Sequence, residues 1–338
     1  MRILATSENA INALIMLTKA QDHFVKQLSQ LCTENNLPSQ FSAKEWLRDE
    51  GSHGGGVRFE APENSIFNQA SVNVSQIQYE ENKNKAFISA SALSTIIHPV
   101  NPLSPSVHIH VSWTHLRTGK SYWRLMADLN PAIACDEDTA AFNGALEQLG
   151  GQYFEVAKQA GDNYFYIPAL EIHRGVSHFY LEGFNPENES GIEYAQQFLL
   201  GIIDTYIAIF KQHLKQPLTS DRTLKAEQKQ LQLDYHTRYF YQVLTLDKGT
   251  TAGLLIHDQN DLGTLGSLPR FINRELLFNW VAKTPAPRNK LVEAIVSTLP
   301  QDNIHNSETP ENQSCEITEA IKKQITKVMR EHYKNYPL

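Results

Sequence analysis

Ser71-Val-Asn-Val-Ser75, Ala86-Phe-Ile-Ser-Ala-Ser-Ala-Leu-Ser-Thr-Ile-Ile97 and Val107-His-Ile-His-Val-Ser-Trp-Thr114 decide the fold. These runs are rich in β-branched residues and follow a strand period. Turn chemistry separates them at Glu81-Asn-Lys-Asn84 and Thr118-Gly119, so Val57 to Asp128 reads as a meander of antiparallel strands. On the amino-terminal side, Ile11, Leu14, Ile15, Leu17, Phe24, Leu28 and Leu31 recur at near-helical spacing and predict a helix over 8–32. The four glycines between Gly51 and Gly56 then read as a flexible approach to the sheet.

Downstream, Glu137 to Ala160 and Glu187 to Leu214 read as helices on either side of a strand at Gly175 to Phe184. Two further strands, Thr237 to Leu246 and Thr251 to His257, flank Asp247-Lys-Gly-Thr250 as a hairpin. Beyond Pro269 the pattern is helical again, through Leu276 to Ala282 and Asn289 to Thr298. Residues 1–300 are thus expected to form one α+β domain around a large antiparallel sheet. The polar stretch 301–314 reads as a linker, and residues 315–338 as a helical extension. In that extension Ile317, Ile321, Ile325 and Met329 share one face of a basic amphipathic helix, Glu316 to His332. Docking of that face onto the domain is the plain reading, and a partner-binding tail the alternative.

The chain has 338 residues, 41% of them hydrophobic and 20% charged, enough for a sizeable core. Its formal charge of −7 gives no electrostatic reason to expect nucleic acid. Cys32, Cys135 and Cys315 match no metal-knuckle spacing and read as packing thiols of a reducing compartment. The amino terminus lacks a basic stretch followed by an apolar run, and the most apolar stretch, Phe198 to Phe210, is interrupted by Asp204. It is also shorter than the roughly 20 residues that cross a bilayer. A cytoplasmic protein without a membrane span is expected.

Several residues could carry chemistry. His98, His108, His110 and His115 cluster in one region of strands, and the His108-x-His110 spacing puts two imidazoles on one face. A surface strand produces the same spacing with no function attached. Asp128 ends a strand in Ala-Asp-Leu-Asn-Pro, where Pro131 stops the pairing; a turn-capping aspartate is the plainer account. Arg174 and Arg238 each sit at an expected strand start, where arginines are usually solvated.

Taken in order, these residues resemble the oxygen-dependent coproporphyrinogen III oxidases. Glu45-Trp46, Gly54-Gly-Gly-Val-Arg58, Phe67 and Val72-Asn-Val-Ser75 look like that family's opening signature. Ile97-His-Pro-Val-Asn-Pro-Leu-Ser-Pro-Ser-Val-His108 matches its most specific segment. Asp128-Leu-Asn-Pro131, Tyr164-Phe165, Arg174-Gly-Val176, Phe184-Asn185, Gln232-Leu233, Arg238-Tyr239, Asp247-Lys-Gly-Thr250, Gly253-Leu254 and Ser267-Leu-Pro269 follow in the expected sequence.

The resemblance implies helices on both faces of the sheet, a homodimer, and oxidative decarboxylation of two propionate arms of coproporphyrinogen III to vinyl groups. Molecular oxygen would be co-substrate, with no required organic cofactor. His108 would take the proton-transfer position and Asp128 would accept hydrogen bonds from pyrrole N–H groups. Arg174 would contact a propionate. His98, His110, Arg238 and Arg124 complete the candidate substrate contacts.

The chain also departs from the family. Its Asn-x-Arg after the histidine becomes His110 and Ser112, and its glycines before the aspartate become Arg124-Leu-Met126. Its Gly-Gly after Arg-Gly-Ile becomes Ser177-His178, its Val-Glu-Phe-Asn strand becomes Phe240-Tyr-Gln-Val243, and its later Gly-Gly-Arg turn reads roughly His257-Asp-Gln-Asn260. Two substrate-binding arginines are lost, and Arg124 could restore one charge from a new position. Three alternatives therefore stand beside the oxidase reading. One is a paralogue acting on a different tetrapyrrole or a small carboxylate. Another is a divalent metal held by His108, His110 and His178. The last is a tetrapyrrole-binding protein without catalysis.

Overall fold

The computed structural model describes residues 1–185, 190–215, 220–247, 249–250, 265–300 and 314–337. Its centre is a seven-stranded antiparallel sheet, in the spatial order β1 (Ser42–Leu47), β2 (Gly54–Glu60), β3 (Phe67–Gln78), β4 (Phe87–Pro99), β5 (Ser106–Leu116), β6 (Ser121–Asn130) and β9 (Ser177–Phe184). The short strands β7 (Tyr166–Ile167) and β8 (Ile172–His173) form a separate pair between β6 and β9 in the chain. β6 ends at Asn130, one residue before the proline expected to stop it.

The sheet has two chemically distinct faces because successive side chains alternate. One face carries cross-strand rows such as Val74, Leu93, Val111, Leu125 and Leu181. These residues are buried against α1 (Glu8–Glu34), α2 (Asp136–Gly150) and α4 (Ser190–Leu214) in one continuous apolar cluster. The opposite face carries Asn73, Ser94, His110, Met126 and Tyr180 in one row, and Ser71, Ile96, His108, Asp128 and His178 in the next. Side chains of α3 (Phe154–Phe165) and α5 (Arg222–Thr245) approach this polar face and leave a cavity over part of it. Helices therefore lie on both faces.

A second apolar cluster joins α5 to α6 (Arg274–Asn279), α7 (Arg288–Thr298) and α8 (Glu319–Asn335). Ile317, Ile321, Ile325 and Met329 are all buried in it, so the amphipathic face of the extension is docked. A small sheet adds to this join: β11 (Ser314–Glu316) pairs with β10 (Phe271–Asn273). β11 starts at Ser314, the last residue of the expected linker, whose other residues lie outside the described ones.

The expected amino-terminal helix is present as α1, with Leu17, Phe24, Leu28 and Leu31 in its buried stripe and Ile11 and Ile15 exposed. Two expectations need correction. The glycine-rich stretch is not a flexible approach: Gly54–Glu60 is a strand paired on both sides. Glycine is needed there because a Cβ on Gly55 would lie 2.2 Å from the Trp46 carbonyl oxygen. The strand expected at Thr237 to Leu246 is helical, forming the last turns of α5. Nearly every side chain from Leu233 to Thr245 is buried, polar and apolar alike, so the segment has no polar face whose period would separate strand from helix. The hairpin at Asp247-Lys-Gly-Thr250 therefore loses its first limb. Its second, Thr251 to His257, lies outside the described residues.

Candidate active site

The site follows from strand register. His108 and Asp128 are direct partners across β5 and β6, and Asp128 and His178 across β6 and β9. Directly opposed residues share a face, which brings the His108 Nδ1 to 2.7 Å from the Asp128 Oδ1. The other carboxylate oxygen of Asp128 accepts hydrogen bonds from the Arg174 guanidinium at 2.7 Å and the Asn130 amide at 2.6 Å. Burial alone would raise the Asp128 carboxyl. The Arg174 and His108 charges, with hydrogen bonds from His108 and Asn130, outweigh burial and hold it down at about 2.

Arg174 reaches Asp128 because of the residue after it. Gly175 has φ +80°, and a Cβ there would meet the Leu129 carbonyl oxygen at 2.6 Å. Arg174 is fully buried rather than solvated. It also donates to the Gln242 side chain of α5 at 2.6 Å, and its guanidinium carbon lies 4.4 Å from the centroid of the Phe165 ring. Its Nε has no hydrogen-bond partner among the described residues.

These groups stand at one side of a cavity of about 300 Å³, the size of a small ligand cleft. His108, His110, Arg124 and Arg174 line it, with Tyr164, Tyr180 and Met126 beside them. Asp128 does not line it and has no exposed surface. It stands behind His108, with both oxygens engaged. The His108–Asp128 contact leaves Nε2 as the imidazole nitrogen for which the described residues supply no partner. Burial, followed by the nearby Arg124 and His108, pushes His110 down to about 3, so its ring is neutral near pH 7.

Other sequence candidates are placed differently. His98 is fully buried against α5, with Nδ1 3.0 Å from the Ser106 hydroxyl and its ring 4.7 Å from that of Tyr239. It does not line the cavity. Arg238 lies on α5 rather than at a strand start, and the cavity is lined by its neighbour Tyr239. Arg124 lines the cavity but is paired with Glu182. The three-histidine metal set does not assemble. β6 separates His108 from His178, about 10 Å across two strand spacings. His178 also has both ring nitrogens engaged, with Asp162 and with the Arg174 carbonyl, each at 2.7 Å.

Sequence reading missed the contributions of three residues. Gln242 holds Arg174 from a segment expected to be a strand. Tyr164 donates to the Asp247 Oδ2 at 2.7 Å, and the other Asp247 oxygen accepts from the Thr250 backbone N–H at 2.6 Å. Tyr164 and Asp247 were both visible as motif members, but no sequence signal indicated that they meet.

The family model for coproporphyrinogen III oxidase matches residues 12–300. The chain belongs to the coproporphyrinogen III oxidase family. Similar proteins include the oxygen-dependent coproporphyrinogen-III oxidase of Drosophila melanogaster, 24% identical over 320 residues, covering 87% of this chain and 78% of that protein. The mitochondrial enzyme of that name from Rattus norvegicus is 25% identical over 321 residues, covering 86% and 69%. That of Rickettsia akari (strain Hartford) is 28% identical over 279 residues, covering 78% and 95%. Such identities mark a divergent member of the coproporphyrinogen III oxidases, a family of oxidoreductases. The family's His-Pro-x-Asn-Pro segment is here the end of β4, the turn and the start of β5. It leads into β5, which carries His108 opposite Asp128 of β6. Among the described residues no helix is long and apolar enough to cross a membrane.

Proposed function

We propose that the chain oxidatively decarboxylates propionate arms of coproporphyrinogen III to vinyl groups, with molecular oxygen as co-substrate, as a step of porphyrin and haem biosynthesis. The observation that carries this reading is the His108–Asp128 pair in register at the wall of a cavity that Arg174 also lines. For each arm, a hydrogen leaves the carbon next to the pyrrole ring and the bond to the carboxylate breaks. Its electron pair becomes the vinyl double bond and CO2 departs. The hydrogen and two electrons pass to oxygen, which with one further proton balances as hydrogen peroxide.

His108 would hold or move that proton at Nε2. Asp128 is read as its positioning residue: it fixes the ring through Nδ1 and offsets the charge of a protonated imidazole, while Arg174 and Asn130 keep the carboxylate ionised. Arg174, which lines the cavity, is read as the propionate contact. The same reading takes the protein as a cytosolic homodimer.

A second reading has one observation in its favour. Arg124 and Arg174, both on the cavity wall, already face carboxylates of the protein, Glu182 and Asp128. A tetrapyrrole with fewer carboxylates than coproporphyrinogen needs fewer unoccupied cations. Incubation of purified protein with coproporphyrinogen III in air tests the proposal, with vinyl product and oxygen uptake as the expected result. Binding without turnover would indicate a tetrapyrrole-binding protein, and neither would overturn the assignment for this substrate.

A further inference from the structure

Cys135, Asp138 and His213 converge on the apolar side of the sheet, away from the cavity. Cys135 is the N-cap residue of α2, Asp138 lies in the first turn of that helix, and His213 lies in the last turn of α4, which packs against it. One ligand atom from each lies within 4.8 Å of the others. Asp138 and His213 are buried at 3% and 5% exposure, and Cys135 is half-buried. The Glu137 carboxylate, which reaches solvent, lies 3.4 Å from the thiol.

We propose that this thiol, carboxylate and imidazole form a binding site for a divalent cation of the zinc type, which ties the start of α2 to the end of α4. A mixed sulfur, nitrogen and oxygen set suits zinc or cobalt rather than calcium or magnesium, which take oxygen ligands. Three protein ligands leave a fourth position on the side of Cys135 and Glu137, which is also the entry path.

The His213 Nε2 is 2.6 Å from the Asp138 Oδ2, but its Nδ1 is buried with no partner among the described residues. Cys135 is the N-cap residue of α2, and its sulfur stands beside the Glu137 carboxylate at 3.4 Å and within 4.8 Å of the Asp138 and His213 ligand atoms. The adjustment required is small. Zinc bonds of about 2.0–2.3 Å set ligand atoms roughly 3.3–3.6 Å apart in a tetrahedron, so the Asp138–His213 contact opens by less than about 1 Å while the thiol closes in.

Cobalt is the probe. The full chain, dialysed against a chelator, is titrated with Co²⁺ and then with Zn²⁺. The site predicts one cobalt per chain, a thiolate-to-cobalt charge-transfer absorption that zinc abolishes, and a rise in melting temperature with zinc. Cys135→Ser, which places a good N-cap residue at the helix start and so keeps the fold, must lose the absorption and weaken zinc binding at least about tenfold. His108→Ala must leave both unchanged, because His108 lies on the other face of the sheet. Absence of stoichiometric cobalt binding, or an absorption that persists in Cys135→Ser, overturns the proposal.

Discussion

The Nδ1 of His108 and the Oδ1 of Asp128 lie 2.7 Å apart because the two residues are register partners on neighbouring strands. No loop has to fold over to bring them together. A one-residue slip of β5 against β6 would turn one of them to the apolar face, so the sheet core that sets the register also assembles the His108–Asp128 pair.

Replacing His108 by Ala removes the imidazole at the cavity wall and leaves the strand intact. Turnover of coproporphyrinogen III is expected to fall about 10²–10⁴-fold, the usual contribution of a general acid or base, while the far-ultraviolet circular dichroism keeps its native form. Vinyl product measured by chromatography checks this. A change under tenfold would remove His108 as the proton carrier.

Asp128→Asn has a different signature, because it strands the buried Arg174 without its counter-charge. The expected destabilisation near neutral pH is about 3–5 kcal/mol, read from urea unfolding. The pH dependence follows from the depressed carboxyl. An aspartate at about 2 in the folded state against 3.8 in the unfolded state contributes stability that is fully present above 3.8. That stability is lost as pH falls through 3.8 toward about 2. The gap between wild type and Asp128→Asn should therefore narrow by about 2 kcal/mol across that window. A gap that is constant with pH would mean the carboxylate is not held ionised by its partners.

Ser112 and Arg124 are also register partners, so Arg124 stands one strand away from the place where the family carries an arginine. If Arg124 supplies the missing cation, Arg124→Gly should raise KM for coproporphyrinogen about tenfold or more with a smaller effect on kcat. Adding Ser112→Arg to that variant should recover most of the loss. Steady-state kinetics of the single and double variants decide. No KM change in the single variant would leave Arg124 as a partner of Glu182 alone.

What sequence made legible was whatever depends on local period. The Val57 to Asp128 meander, the helix expected over 8–32 and found at Glu8–Glu34, and the placing of His108 and His110 on one face all follow from side-chain alternation or helical spacing. Three things did not. The last turns of α5 are buried on nearly every side, so Thr237 to Leu246 had no polar face to reveal its helical turn; Gln242 was missed and Arg238 misplaced with it. The engagement of Arg174 depends on the left-handed turn at Gly175, and no local pattern says which carboxylate the arginine will meet. Cys135 and His213 lie on different helices far apart in the chain, so their approach is a product of helix packing alone.

The carboxy-terminal extension offers a last test, because its apolar face separates a docked element from a tail held ready for a partner. Ile325 and Met329 have no exposed surface and pack in the cluster that includes Tyr239 and Val243 of α5, two residues that also line the cavity. Ile325→Ala should cost about 2–5 kcal/mol, the range for a large-to-small change in a packed core. A surface helix would lose under about 0.5 kcal/mol from the same change. Since α5 carries Gln242, which holds Arg174 in place, loosening this cluster should also lower turnover even though no residue of α8 lines the cavity. Urea unfolding and oxidase assay of the same variant check both effects. Native stability in Ile325→Ala would mean that the extension is not part of the cooperative unit.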